Sequence, residues 1–217
     1  MRNFIRNLYN SLPSGAIIMV HHVCDNEPLV PSCIISTDGF KKYIEGKKIV
    51  SIDSMLKELC AGSYALTFDD GLGDLYNEVY PRLIGLELPF TAFISAELID
   101  RPGYITTEQL KEMAANPLVT IGSHGCTHRH LSKLADDEAR REIFKSKKIL
   151  ESIIKREVDL IAYPFGDVGR RERVYAHKAG YRYGFGVVPR RYNILSKLFN
   201  RMKLPRYNLT NECSNPA

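Results

Sequence analysis

Two short stretches of this chain hold the residue types that hydrolytic chemistry needs. Thr67-Phe68-Asp69-Asp70-Gly71 ends an apolar run with adjacent carboxylates and a glycine. Ser123-His124-Gly125-Cys126-Thr127-His128 sets two imidazoles at i and i+4, again just after an apolar segment. Together they offer three metal ligands and one spare carboxylate. A divalent cation held this way polarises a carbonyl and holds a water, and the spare carboxylate can deprotonate that water. Either stretch alone is weak, because Asp-Asp-Gly is also an ordinary turn and a histidine pair at this spacing is often incidental. Their joint occurrence carries the reading.

The elements that must position them follow from the pattern of apolar residues. Short β-rich runs at Ala16–His21, Ala65–Phe68, Phe90–Ile94, Val119–Ile121, Leu160–Ala162, Tyr183–Val187 and Leu204–Arg206 read as strands. Helical patterns fall between them at Ser54–Cys60, Asp74–Ile84, Thr107–Ala115, Asp136–Ile154 and Arg173–Ala179. In the fourth, Ala139, Ile143, Leu150 and Ile153 share one face. Thr106 with Gln109 makes a capping box, and Pro81 is expected to kink or split its helix. Alternation of this kind implies βα units and a mostly parallel sheet, with ligands at the carboxyl ends of the strands. Both islands, and Tyr163-Pro164-Phe165-Gly166, follow strand ends. Adjacent aspartates cannot both face one way along a strand. Once the strand breaks at Gly71 both can turn to the mouth, one to bind a cation and one free to act as base.

The bulk numbers bound the rest. The 217 residues, 44% of them hydrophobic, suffice for a sizeable core without disulfides. No apolar stretch approaches a membrane span, and Met1-Arg2-Asn3-Phe4-Ile5-Arg6-Asn7 is basic with no signal core behind it, so a cytoplasmic protein is expected. Cys24, Cys33, Cys60, Cys126 and Cys213 are odd in number and form no C-x-x-C pair, which fits reduced thiols. Cys126 would point away from a site built on the flanking histidines. The net charge is +5, and its basic excess lies in the last quarter, where Arg170, Arg171, Arg173, Arg182, Arg190, Arg191, Lys197, Arg201, Lys203 and Arg206 crowd with few acids. That field suits a solvated basic face, an anionic substrate or a peripheral membrane-surface contact. No nucleic-acid motif accompanies it, and no obligate protein partner is inferred.

The islands resemble the motifs of the polysaccharide deacetylase (NodB-homology) family. The resemblance runs from about Ile17 to Arg206, and it includes Ala176-His177-Lys178-Ala179-Gly180-Tyr181 as the late helix and turn. It implies an α/β fold, a single distorted (β/α) barrel, forming one catalytic domain over 1–217 with its core at about 15–207. It further implies Asp69 as general base, and Asp70, His124 and His128 as ligands of a divalent metal. Zinc suits this nitrogen–oxygen set best, with cobalt, nickel or manganese as substitutes. Phe165 takes the place of the third-motif aromatic residue, whose backbone N–H serves the oxyanion.

The chain also departs from the family pattern. Ala162 stands where the third motif usually opens with arginine, the late Leu-x-His reads Leu204-Pro205-Arg206, and there is no tryptophan. One subgroup of the family places its acid histidine after the first strand, in a Tyr-His pair. Met19-Val20-His21-His22-Val23 matches that position, with His22 aligned to the acid, His21 in the tyrosine's place and His21 as the alternative acid. Arg206 is placed to pair with Asp69 and to stand in for the missing arginine. His130 and His177 are left outside the site. The expected activity is removal of an N-acetyl group from an amino sugar of a polysaccharide or glycan precursor, with metal-held water as nucleophile. The rival readings are an O-deacetylase or deformylase acting on a lipid- or nucleotide-linked sugar, and a catalytically poor sugar-binding relative.

Overall fold

The computed structural model describes residues 12–30, 32–58 and 61–211. Cys60, Cys213 and the basic start of the chain lie outside them. Seven parallel strands form one curled sheet: β1 (Ala16–Val20), β4 (Tyr64–Phe68), β5 (Phe90–Ile94), β6 (Val119–Ser123), β7 (Leu160–Ala162), β8 (Tyr183–Phe185) and β9 (Tyr207–Asn208). Their order across the sheet is β8-β7-β6-β5-β4-β1-β9. A two-stranded parallel ribbon, β2 (His22–Val23) with β3 (Ile34–Ile35), stands beside it.

The last segment closes the curl. Leu204 bridges to Phe185 of β8, while Tyr207 and Asn208 pair with Ile18 and Met19 of β1. Arg206, between the two pairings, therefore sits where the open edges meet. The strand expected at Leu204–Arg206 forms instead at Tyr207–Asn208, because Pro205 has no N–H to give a ladder.

Strand parity separates an interior from an exterior. Ile17, Ala65, Phe93, Leu160, Ala162, Phe185 and Leu204 form one cluster, floored by Ile52, Met55 and Leu56 of α2 (Ile52–Glu58) and by Tyr192. This is the barrel interior. Phe93 fills it across Gly122, where a Cβ would meet the ring at 2.5 Å. Ile18, Val20, Leu66, Phe68, Phe90, Ala92, Ile94 and Ile121 face the other way, beneath the helices. Strands covered on both faces lose the polar alternation of a surface strand, and these read as continuous apolar runs.

The helical layer is α1 (Thr37–Ile44), α2, α3 (Tyr80–Gly85), α4 (Thr107–Ala115), α5 (Asp136–Ile154), α6 (Arg170–Lys178) and α7 (Ile194–Asn200). Thr106 and Gln109 complete their reciprocal cap on α4. Pro81 splits its helix as its chemistry requires: Leu75–Val79 forms a π-turn and α3 starts at Tyr80, which leaves the proline in the first turn. Among the described residues no helix is long and apolar enough to cross a membrane.

Candidate active site

The site is built by carrying interior parity past the ends of the strands. Asp69 continues the inward row of Ala65 and Thr67, and Arg206 continues that of Leu204. The two meet as a buried pair, with Arg206 Nη1 donating to Asp69 Oδ1 and Nη2 to Oδ2, both at 2.7 Å. The guanidinium also donates to Thr67 Oγ1 and to the Gly186 carbonyl, each at 3.1 Å, and lies 5.4 Å from the Phe93 ring centroid. Four of its donors are thus placed, and it is completely buried. Burial alone would raise the pKa of Asp69. Arg206, with His124 and His21, outweighs that and holds the carboxyl below its ordinary range.

Asp70 would point outward if the strand continued. Instead Asp70 and Gly71 take left-handed conformations, φ 73° and 80°, and the strand ends there. An aspartate tolerates this region better than most residues, and such strain concentrates at functional sites. The turn brings Asp70 Oδ1 within 3.2 Å of His124 Nε2 and 3.0 Å of His128 Nε2. His128, also left-handed at φ 54°, reaches back over the Gly125–Thr127 turn.

These three atoms suit a divalent cation. His124 Nδ1 faces the Ala162 carbonyl at 2.9 Å, a contact that fixes the ring so that Nε2 points into the site. Asp70 Oδ1 is buried and has no hydrogen-bond partner, though both rings crowd it. Burial favours the neutral ring of His124, but Asp69 and Asp70 raise its pKa. A proton and a cation would therefore compete for this spot. Cys126 plays no part in it, since its thiol faces the Glu142 carbonyl at 3.6 Å and burial pushes its pKa up to about 12.

Glu142 of α5 is a site residue that sequence reading passed over. It is buried on the apolar face of its helix, and its Oε2 accepts from the backbone N–H of Cys126 (2.8 Å) and Thr127 (2.9 Å). Its Oε1 accepts from Thr127 Oγ1 at 2.6 Å. One carboxylate thus shapes the turn between the two histidines. The available signal was an acid adjoining Ile143 on the apolar stripe of the helix.

The two N-terminal histidines part company. His22 has the parity of Val20 and leaves the barrel interior: its Nδ1 lies 2.8 Å from Asp74 Oδ1 and its Nε2 2.7 Å from the Val30 carbonyl. Burial opposes its charge, but Asp74 and the carbonyl raise its pKa. With Cys24 it forms a second group of ligand-type atoms around Asp74, in which His22 and Asp74 already bond each other and the Cys24 thiol donates to the Asn26 carbonyl. His21 has the parity of Ile17 and turns to the mouth. Its Nδ1 is buried without a partner, and burial lowers the ring's pKa, with Asp69 and Asp70 opposing that and His124 and Arg206 adding to it. Of the two histidines named for the acid's role, it is His21 that shares the interior parity of Ile17.

Phe165 sits at φ 60° and is 54% exposed, at the rim. Its ring stacks on His130 with centroids 3.9 Å apart and lies 4.6 Å from that of His128. His130, left out of the expected site, is thus part of the aromatic rim. Tyr104 lies near enough to Asp70 that burial and that charge both raise its phenol pKa.

The chain belongs to the polysaccharide deacetylase family, whose sequence model matches residues 57–184. Among curated relatives, YxkH of Bacillus subtilis (strain 168), named for the same family, is 30% identical over 145 residues, covering 67% of this chain and 50% of that protein. The poly-β-1,6-N-acetyl-D-glucosamine N-deacetylase of Staphylococcus aureus (strain MRSA252) is 29% identical over 135 residues, covering 56% and 47%. The chain spans about half the length of these relatives. The fold matches the Streptococcus pyogenes deacetylase PplD, solved in complex with acetate, at TM-score 0.81 and 22% identity over 94% of this chain and 96% of that one. A de-N-acetylase from Aggregatibacter actinomycetemcomitans matches at TM-score 0.78 and 18% identity, over 93% and 97%. The curled parallel α/β fold is therefore the one expected.

Proposed function

We propose that this chain is a metal-dependent hydrolase that removes an N-acetyl group from an amino sugar of a polysaccharide or glycan precursor, using one catalytic domain with its core at about 15–207. The observation that carries this reading is the side-by-side placement of two acids with different partners. Asp70 converges with His124 and His128 on one point, while Asp69 is held apart by Arg206. Family membership and the activity for which the Staphylococcus aureus relative is named support the substrate class.

Asp70, His124 and His128 would hold the ion, with zinc the best fit to two imidazoles and a carboxylate. When bound, a divalent cation supplies Lewis acidity toward the acyl carbonyl and acidifies water. Asp69 acts as general base. Each carboxylate oxygen keeps a lone pair beyond its bond to Arg206, so the pair orients the base without blocking it. The Phe165 backbone N–H serves the oxyanion. His21, whose buried Nδ1 lacks a partner, serves as proton donor to the departing amine in its charged form, which Asp69 and Asp70 favour against burial, and His22 acts outside the reaction.

Acetate release from N-acetylglucosamine oligomers, set beside release from O-acetylated and N-formylated sugars, tests the acyl class. Preferred cleavage of the N-acetyl sugars is expected. Turnover confined to esters or formamides would replace the N-deacetylase with a neighbouring activity. Metal binding without turnover of any of them would leave a sugar-binding protein.

A further inference from the structure

The surface around α7 has two features that deacetylation does not use. The first is apolar. Ser196 of this helix is buried, whereas Leu198 and Phe199 stand 65% and 74% exposed at adjacent positions. The second is charge. The sequence has no Asp or Glu between Glu172 and Glu212, and the part from 190 onward holds Arg190, Arg191, Lys197, Arg201 and Lys203 besides the buried Arg206. A cleft of about 190 Å³ beside the helix is lined by Arg190 and Lys203 with Ser196, Asn200, Val188 and Pro205. The Ser196 hydroxyl is committed to Asn193 Oδ1 and Lys203 Nζ reaches the Val168 carbonyl, so the cleft contributes positive charge to this face rather than a closed ligand site.

We propose that this face docks on an anionic phospholipid surface, with Lys197 and Lys203 against the headgroups and Leu198 and Phe199 entering the headgroup–acyl boundary. A protruding apolar pair ringed by cations is the arrangement that interfacial binding uses, because apolar burial and attraction to anionic headgroups add. A soluble anionic sugar would account for the cleft and leave Leu198 and Phe199 without a role. The docking face adjoins the closure of the barrel. The Lys203 stem passes over Gly186, where a Cβ would lie 3.3 Å from Lys203 Cγ, and the Gly186 carbonyl holds Arg206.

The test is co-sedimentation of the full chain with sucrose-loaded vesicles of phosphatidylcholine, alone or mixed with phosphatidylglycerol. The wild type is expected to bind the mixed vesicles on the order of tenfold or more better than the neutral ones. Leu198→Ser/Phe199→Ser should lower that binding by about tenfold. Lys197→Gln/Lys203→Gln should lower it by about fivefold per charge and flatten its salt dependence. All variants should keep the wild-type circular dichroism and release acetate from soluble N-acetyl sugars at the wild-type rate, so failure here is separable from failure of the deacetylase reading. Three results would overturn the proposal: no sedimentation of the wild type, equal sedimentation with both vesicles, or a dimer that Phe199→Ser disperses. The last would give the face to a second copy of the chain.

Discussion

Replacing Arg206 with methionine probes the pair on which the proposed base depends. The guanidinium is completely buried, places four hydrogen bonds, and two of these at 2.7 Å hold both oxygens of Asp69. Removing one member of such a pair leaves an uncompensated charge in the barrel, at a cost of about 3–5 kcal/mol. For a chain of this size that corresponds to a fall in melting temperature of roughly 10 °C. Turnover should drop by about a hundredfold or more, since the base loses its orientation and its ionisation. Metal content should stay at the wild-type level, because Asp70, His124 and His128 make no bond to Arg206. Arg206→Lys should recover little, as an ammonium cannot bond both oxygens in parallel. The double variant Asp69→Asn/Arg206→Met, which removes both charges, should melt well above Arg206→Met while remaining inactive. Thermal melts, metal analysis and acetate release on the four proteins decide the matter. A variant Arg206→Met that melts within about 2 °C of wild type, less than 1 kcal/mol, and turns over normally would refute the reasoning.

Other perturbations separate the remaining roles. His128→Ala should abolish stoichiometric zinc binding as measured by atomic emission, and with it activity. Glu142→Gln, which keeps shape but weakens three bonds to the histidine turn, should reduce metal affinity about tenfold to a hundredfold in a competitive chelator titration. His21→Gln should cut kcat with metal retained, whereas His22→Gln should leave kcat nearly intact; the opposite outcome would return the acid to His22. The pKa of His22 is raised on folding, so its bond to Asp74 stabilises the fold below the unfolded value of about 6.5 and is lost as pH rises through the folded value. The stability gap between wild type and His22→Gln should then be about 1–3 kcal/mol near pH 5.5 and shrink above neutrality, as read from urea unfolding at each pH.

Much of the frame was readable because strands and helices were bounded by strong local signals. Phe90–Ile94, Leu160–Ala162, Thr107–Ala115 and Asp136–Ile154 fall where the apolar pattern put them. Helix α1 was missed although Ser36 caps it through Gly39 N and Phe40, Tyr43 and Ile44 share its buried face; an early glycine and few apolar residues hid the period. Helix α7 was missed because its exposed Leu198 and Phe199 blur any amphipathic stripe. The Asp69–Arg206 pair was legible as two strand ends needing a countercharge. The choice between His21 and His22 turned on phase: Ile17 faces the interior and Val20 the helices, so only the odd-numbered histidine can follow Ile17 inward. That assignment needed the three-dimensional clusters, because β1 is apolar at every position.

The central claim is that Asp70, His124 and His128 hold a divalent ion on which deacetylation depends. Acetate release from N-acetylglucosamine oligomers, followed before chelation, after it, and after adding back one equivalent of zinc, tests this most directly. The account predicts loss on chelation and recovery with zinc in the wild type, and no recovery in Asp70→Ala. Full activity in the metal-stripped protein, or recovery in Asp70→Ala, would contradict it.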